Sequence, residues 1–267
     1  MRKAKYDIFK DKICLITGGT SGIGKELARQ LNRLNSKIII VGRDENQVKN
    51  CISEFQNEGY VIEGFKLDVT NYTQYKSLTE SIFDKHGKID YLFNNAGITD
   101  LLEFQNYPIE KIHEILNVNL LGVINGTNLI YQHMKARRAG HIINIGSLAG
   151  LFPLPTCSPY AASKFALMGF SNCLSIEAKK YDVIFTCVCL GFVDTPLFTR
   201  SQNQIASLRN IKPMTVTQSA NLIIKAVIKE KNVEVIPAKG SFFWKLYTCF
   251  PNLYIKYMGR AYERDTS

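Results

Sequence analysis

The chain has 267 residues, 46% hydrophobic and 21% charged, enough for one large α/β domain or two small ones and ordinary for a soluble globular protein. Its seven cysteines are odd in number, lie mostly in apolar runs and include no Cys-x-x-Cys or Cys/His metal spacing, which excludes a cysteine metal cluster and reads as buried free thiols in a reducing compartment. Lys and Arg outnumber Asp and Glu by 33 to 23, a net charge of +10 that suits anionic ligands or surfaces, or forms only a solvated face.

Residues 12–17 are a short apolar run, predicted as a strand, and Gly18-Gly-Thr-Ser-Gly-Ile-Gly24 follows at once. Leu27, Ala28, Leu31 and Leu34 then recur at helical spacing. Strand, glycine turn and helix form the context that a dinucleotide fingerprint requires. Gly18 permits a tight turn and the close approach of a pyrophosphate; Gly22 and Gly24 let the helix start lie against phosphates and strand. A flexible strand-to-helix loop is the plainer alternative.

Residues 37–41 are unrelieved by polar side chains, as in a strand buried on both faces, and end at Gly42-Arg43-Asp44. Asp44 and Gln47 have capping-box spacing, which assigns Asp44 to starting a helix rather than to holding a ribose. No carboxylate is then left at the strand tip for a 2′-hydroxyl, and Arg43 can face a 2′-phosphate, so NADP is favoured over NAD. The plainer alternative makes Arg43 a solvated turn residue. Residues 60–67 read as a third strand ending at Asp68-Val69, with Asn71 and Gln74 opening a helix by another capping box. Residues 89–93 form a fourth strand running into Asn94-Asn-Ala-Gly97, a small-residue turn where open α/β sheets place ligands. One long helix is expected from 108 to about 134, with Asn119 buried amid Val118 and Leu120 and in need of partners.

Residues 141–145 form the fifth strand, ending at Gly146-Ser147. Ser158 and Pro159 then suit an N-cap and a first helical position, so a helix to about 180 puts Tyr160 and Lys164 on one face, one turn apart. A phenol beside an ammonium is an acid/base device if the Lys⁺ lowers the tyrosine pKa from about 10; it is also what any amphipathic helix offers. Residues 183–190 form the sixth strand, with Cys187 and Cys189 on one face. Residues 191 to about 215 are polar and poorly periodic, a substrate flap. A helix at 216–229 and a strand at 233–236 complete an α/β, doubly wound parallel sheet in three αβα layers, a single Rossmann-type domain over 1–236.

In this order, Thr17-Gly-x-x-x-Gly-Ile-Gly24, Asp68, Asn94-Asn-Ala-Gly97, Asn119, Ser147, Tyr160-x-x-x-Lys164 and Val193-Asp-Thr-Pro196 make the chain resemble the short-chain dehydrogenase/reductases over residues 10 to about 236. The resemblance implies that Tyr160 is the general acid or base, that Lys164 lowers its pKa and bonds the nicotinamide ribose, that Ser147 holds the substrate oxygen, and that Asn119 places a proton-relaying water. It implies an NADP(H) cofactor, with NAD(H) less favoured, against Gly18, Thr20, Ser21, Gly22, Ile23 and Gly24, with Arg43 at the 2′-phosphate. Asp68 and Val69 lie near the adenine, Asn95, Ala96 and Gly97 near the ribose, and Val193 and Thr195 near the carboxamide. Homodimers or homotetramers are implied as well. Leu190-Gly191 departs from the family's Pro-Gly and loosens the backbone there; Ser21 stands where some NADP enzymes carry a basic residue.

Residues 237–267 add a tail in which aromatics interleave with Lys239, Lys245, Lys256 and Arg260, and Pro251 divides it into two short helices. Either these rings pack on the domain or in an oligomer interface, or they form an amphipathic surface on anionic membrane or over a greasy substrate. With Phe152, Leu154, Leu197 and Phe198 expected around the cleft, the favoured substrate is a lipophilic carbonyl or alcohol: a lipid, steroid, retinoid or acyl chain. Reduction of 3-oxoacyl chains on an acidic carrier protein is a second reading, and a non-catalytic NADP(H)-binding protein a third, disfavoured by the four-residue set. Nucleic acid is not expected as a partner, since no basic stripe interleaved with aromatics lies outside the tail. The first residues lack the apolar region of a signal peptide and no apolar run reaches about 18 residues, so an intracellular, cytoplasmic location, at most peripheral to a membrane, is expected.

Overall fold

Period-two alternation in the first two strands divides the core into two layers. In β1 (Ile13–Thr17), Cys14 and Ile16 join one apolar cluster, Ile13 and Leu15 the other; in β2 (Lys37–Gly42), Ile38 and Ile40 join the first, Ile39 and Val41 the second. Strands so apolar on both faces must be covered on both. The computed structural model describes residues 6–196 and 212–266. Its sheet runs β3-β2-β1-β4-β5-β6-β7 and every pairing is parallel. The remaining strands are β3 (Ile62–Lys66), β4 (Tyr91–Asn94), β5 (Gly140–Ser147), β6 (Val183–Leu190) and β7 (Val233–Ile236).

Helices α1 (Gly22–Arg33), α2 (Glu45–Asn57) and α7 (Val216–Lys229) cover the first face through Leu27, Leu31, Phe55, Ile223 and Val227. Helices α3 (Tyr72–His86) and α5 (Gly122–Arg137) cover the second, where Tyr75 and Ile130 are fully buried. Thr215 and Gln218 close a reciprocal capping box at the start of α7. Asp44 caps α2 by accepting from the Gln47 amide at 2.9 Å, so the carboxylate is committed to the helix as expected. Asn71 likewise caps α3, but Gln74 bonds the Asp68 amide at 3.0 Å instead of closing a box.

The long helix expected from 108 to about 134 is present from Ile109 to Arg137, but it is not α-helical throughout. It runs as α4 (Ile109–Leu116), a π-helical turn over Asn117–Leu121, and α5. The wider turn carries Asn119, fully buried and bonded to a neighbouring loop; π turns let one residue depart from the regular α-helical spacing. Helix α6 (Ser158–Glu177) starts one residue earlier than expected, with Cys157 as N-cap, and passes into a 3₁₀ turn at Ala178–Tyr181.

Beyond β7, α8 (Gly240–Cys249) and α9 (Pro251–Thr266) follow, divided at Pro251. One face of this pair packs on the domain. Tyr254 is 2% exposed among Leu151, Phe152 and Met168, its ring 5.7 Å from Phe152 and 5.5 Å from Tyr247. Its hydroxyl donates to the Pro153 carbonyl at 3.2 Å, and the Tyr262 hydroxyl bonds Glu103. Helix α9 therefore ties the loop after β5 to the loop after β4. No described helix is long and apolar enough to cross a membrane.

Candidate active site

Strand order reverses between β1 and β4, and the crevice beyond their carboxyl ends is where a parallel sheet of this kind receives a ligand. Two tethers shape it. The Thr17 hydroxyl accepts from the amides of Asn95 and Ala96, both at 3.0 Å, and the Asn95 side-chain amide donates to the carbonyls of Thr17 and Gly18 at 2.9 and 3.1 Å. Asn95 is thus spent on holding the glycine turn against the β4 end, a structural part that the sequence pattern alone did not give it.

The glycines leave room that no other residue would. Gly18 is left-handed (φ 63°), and a Cβ there would stand 3.0 Å from the Ala96 Cα; a Cβ at Gly24 would stand 2.3 Å from the Gly18 carbonyl oxygen. Gly22, at φ 50°, faces Thr195, whose Cγ2 would lie 3.3 Å from its Cβ. Thr195 thus reaches this turn from beyond β6, and the buried Val193 is paired with Met214. Ser21 makes no side-chain cap to α1, so the helix presents the amides of Gly22, Ile23 and Gly24 without one, as an anion-binding N-terminus does. A cradle of bare backbone at a helix start fits a dinucleotide pyrophosphate.

At the next strand tip, Thr20 packs on Gly42. The exposed Arg43 guanidinium meets Glu114 of α4 at 3.4 Å, and Lys111 holds the same carboxylate at 2.9 Å. Glu114 is a residue the sequence reading missed, because a Glu on a solvated helix face carries no signal of its partner. Asp68 turns its carboxylate onto Thr70, and Val69 packs on Gly122.

Ser147 ends β5 and its hydroxyl accepts from the Ala149 amide at 3.1 Å. Tyr160 and Lys164 share a face of α6, the ammonium 5.6 Å from the ring centroid. Lys164 is 6% exposed and donates to the Ile145 carbonyl at 2.8 Å. Asn119 clasps Ile98, accepting from its amide and donating to its carbonyl, both at 2.8 Å, and donates to Ser163 at 3.1 Å. Gly97 lies between: a Cβ on it would stand 3.3 Å from Asn119 Oδ1 and 3.8 Å from Lys164 Nζ. Asn119, Ser147, Tyr160 and Lys164 are therefore brought to one site. Ser163, also missed, sits inside the Tyr160–Lys164 stretch and links it to Asn119.

One electrostatic expectation is corrected. Burial pushes the Tyr160 phenol up to about 12, with only a smaller opposing pull from its hydrogen bond with Ser147, and burial pulls the Lys164 ammonium down to about 8. Removing water disfavours the charged form of each group. That effect outweighs the lowering of the phenol that a neighbouring Lys⁺ was expected to bring.

Around the phenol, Leu101 and Leu154 pack with Ala149, Cys157 and Ala161. Phe152, expected at the cleft, is turned under the tail with Tyr254. Leu197, Phe198 and most of the expected flap lie outside the described residues; at its ends, Asp194 donates to the Met214 carbonyl at 2.8 Å and Met214 to the Phe192 carbonyl at 3.0 Å. Five of the seven thiols are buried, and Cys173 and Cys249 are exposed. Cys187 and Cys189 do share a face, their sulfurs 4.0 Å apart.

A family model described as short chain dehydrogenase matches residues 12–206. A Dictyostelium discoideum protein named dehydrogenase/reductase SDR family protein 7-like is 33% identical over 267 residues, 95% of this chain and 82% of that one. The probable oxidoreductase EphD of Mycobacterium tuberculosis is 31% identical over 259 residues, 91% of this chain but 44% of that protein, so the chain spans less than half the length of that relative. A gluconate 5-dehydrogenase from Burkholderia cenocepacia, solved with NADP and tartrate, superposes with a TM-score of 0.81 at 26% identity, covering 89% of this chain and 98% of that one.

Proposed function

The chain belongs to the short-chain dehydrogenase/reductase family, and we propose that it is an NADP(H)-dependent oxidoreductase moving a hydride between nicotinamide and the carbonyl or secondary alcohol of a lipophilic substrate. The observation that carries the reading is the convergence of Ser147, Tyr160, Lys164 and Asn119 beside the glycine cradle, with Leu101 and Leu154 packed next to the phenol. A bound nicotinamide dinucleotide supplies or accepts the hydride; the chain supplies position and a proton.

In reduction the Tyr160 hydroxyl gives its proton to the carbonyl oxygen, and in oxidation the phenolate takes it back. Its high pKa keeps it in the acid form through the neutral range. Ser147 donates a hydrogen bond to the same substrate oxygen and holds it against Tyr160. Lys164, anchored on the Ile145 carbonyl, places its charge beneath the ring, where it favours the phenolate as the proton leaves. Asn119 fixes the Gly97–Ile98 turn beside that lysine and so shapes the route by which solvent protons reach it. Arg43 at the tip of β2 would meet a 2′-phosphate, and Asp44, engaged as a helix cap, would be unable to hold a 2′-hydroxyl, which favours NADP(H) over NAD(H).

The test is turnover of ketones, aldehydes and alcohols of increasing apolar length with NADPH and NADH, or their oxidised forms. Higher kcat/KM for long apolar substrates and for the phosphorylated cofactor is expected; preference for short polar ketones overturns the substrate class, and preference for NADH the cofactor. The net charge of +10 also suits a 3-oxoacyl chain carried on an acidic protein. Carrier-linked acyl chains turned over faster than the free thioester would favour that second reading.

A further inference from the structure

The tail has two unlike faces. Tyr254 and Met258 of α9 turn inward to the cluster of Leu151, Phe152 and Met168. Leu253, Lys256, Tyr257, Arg260 and Arg264 fall at i, i+3, i+4, i+7 and i+11 of the helix, so they share a single outward stripe. Leu253 is 59% and Tyr257 60% exposed, and the three basic residues are exposed as well. Phe250 is 60% exposed at the junction with α8, and Phe242, stacked edge-on against Phe243 at 5.6 Å, is 66% exposed on α8 itself. From Lys239 to Tyr262 the chain carries four basic residues and no Asp or Glu. Large rings left in water over two adjacent helices are uncommon on a surface without a partner.

We propose that this face of α8 and α9 docks on an anionic lipid bilayer, the rings entering the headgroup boundary while Lys245, Lys256, Arg260 and Arg264 meet lipid phosphates and carboxylates. Charge decides among occupants. A second copy of the chain meeting this patch about a two-fold axis would set Lys256 and Arg260 against the same basic patch, and the acids of these helices, Glu263 and Asp265, come only in the last turn of α9 beyond it. Apolar side chains interleaved with long basic ones are what an interfacial helix presents, the alkyl stems lying along the apolar layer while the charges remain at its surface. The inference goes beyond the proposed reaction and does not rest on it.

The test is co-sedimentation of the full chain with vesicles of phosphatidylcholine alone and of phosphatidylcholine with phosphatidylserine. Stronger binding to the anionic vesicles, weakened by salt, is expected. The double variant Lys256→Glu/Arg260→Glu, checked for an unchanged melting curve, should lose at least about thirty-fold of that binding, from roughly a fivefold contribution of each basic residue near a charged surface. Phe250→Ser/Leu253→Ser should weaken binding to both vesicle types. Equal binding of the charge-reversed and original chains overturns the proposal, as does wild-type binding that ignores the anionic lipid. A lipid-free sedimentation shift to smaller species in Phe250→Ser/Leu253→Ser also overturns it, by assigning the face to a second copy. Turnover enters none of these readouts, so failure here and failure of the reaction assignment are separate results.

Discussion

Arg43 and Glu114 join the tip of β2 to α4, Nη1 to Oε1 at 3.4 Å. Glu114 is also held by Lys111, and the two cations keep its carboxyl below its ordinary pKa. The carboxylate therefore competes for the guanidinium that a 2′-phosphate would need. Glu114→Gln should lower the KM for NADPH by up to about fivefold, the scale of an exposed ion pair, and leave that for NADH unchanged. Arg43→Ala should do the reverse, weakening NADPH by about tenfold or more; equal losses for both cofactors would remove the 2′-phosphate from the assignment.

Tyr160→Phe keeps the ring and removes the hydroxyl that carries the proton. Turnover should fall roughly a hundredfold to ten-thousandfold while dinucleotide affinity, read by fluorescence titration, stays within about twofold. Near-normal kcat in this variant would falsify the acid/base role.

Lys164 supplies a pH dependence with a definite sign. Its folded pKa of about 8 lies below the ordinary 10.5. The folded chain therefore gives up this proton first, and the destabilisation is fully present below about 8 and relieved as pH rises from there to 10.5. The gap corresponds to about 3 kcal/mol at neutral pH. Lys164→Met removes that cost and forfeits the charged bond to the Ile145 carbonyl, about 1.5–3 kcal/mol, so a net change between about zero and a gain of about 1.5 kcal/mol in denaturant melts is expected together with loss of turnover. Reductive kcat/KM should decline as pH rises through about 8 although Tyr160 remains protonated to about 12; residual activity in Lys164→Arg should lack that decline.

Gly24→Ala asks for space that backbone occupies. Its Cβ would stand 2.3 Å from the Gly18 carbonyl oxygen and 2.5 Å from Asn95 Nδ2. A loss of about 1–3 kcal/mol in stability is expected, with weakened dinucleotide binding as the turn shifts. Thermal melts with and without NADPH measure both; a variant as stable as the original and equally stabilised by NADPH would show that the turn has slack.

On the opposite side of the sheet, Tyr75 is fully buried and its hydroxyl has no partner among the described residues. Burial pushes its pKa well above the ordinary range. Tyr75→Phe should therefore stabilise the fold by about 1 kcal/mol and leave kcat unchanged. A destabilised variant would reveal a partner for the hydroxyl.

Strands β1 and β2 were legible because burial on both faces leaves an unbroken apolar run, and the start of α2 because Asp44 sits three residues before the amide it caps. The π turn at Asn119 was not. An Asn amid apolar residues announces that partners are needed, but its partner is Ile98, 21 positions earlier, and backbone groups leave no mark in the sequence. The phenol's pKa was misjudged for a related reason: the spacing of Tyr160 and Lys164 reports their proximity, whereas the cost of leaving water depends on everything packed over them. Asn95 and Glu114 share this blindness, since each does its work through a residue far away in the chain.

The two tyrosines that fasten α9, Tyr254 on Pro153 and Tyr262 on Glu103, make that helix a mechanical link between the loops flanking Ser147 and Tyr160. Thermodynamic linkage then runs in both directions. Whatever ligand of the outer face shifts these loops and changes substrate affinity by some factor must itself bind more or less tightly by the same factor once substrate is present. A saturating substrate would act as an effector of the tail, measurable as a change in vesicle partitioning with no change in the vesicles.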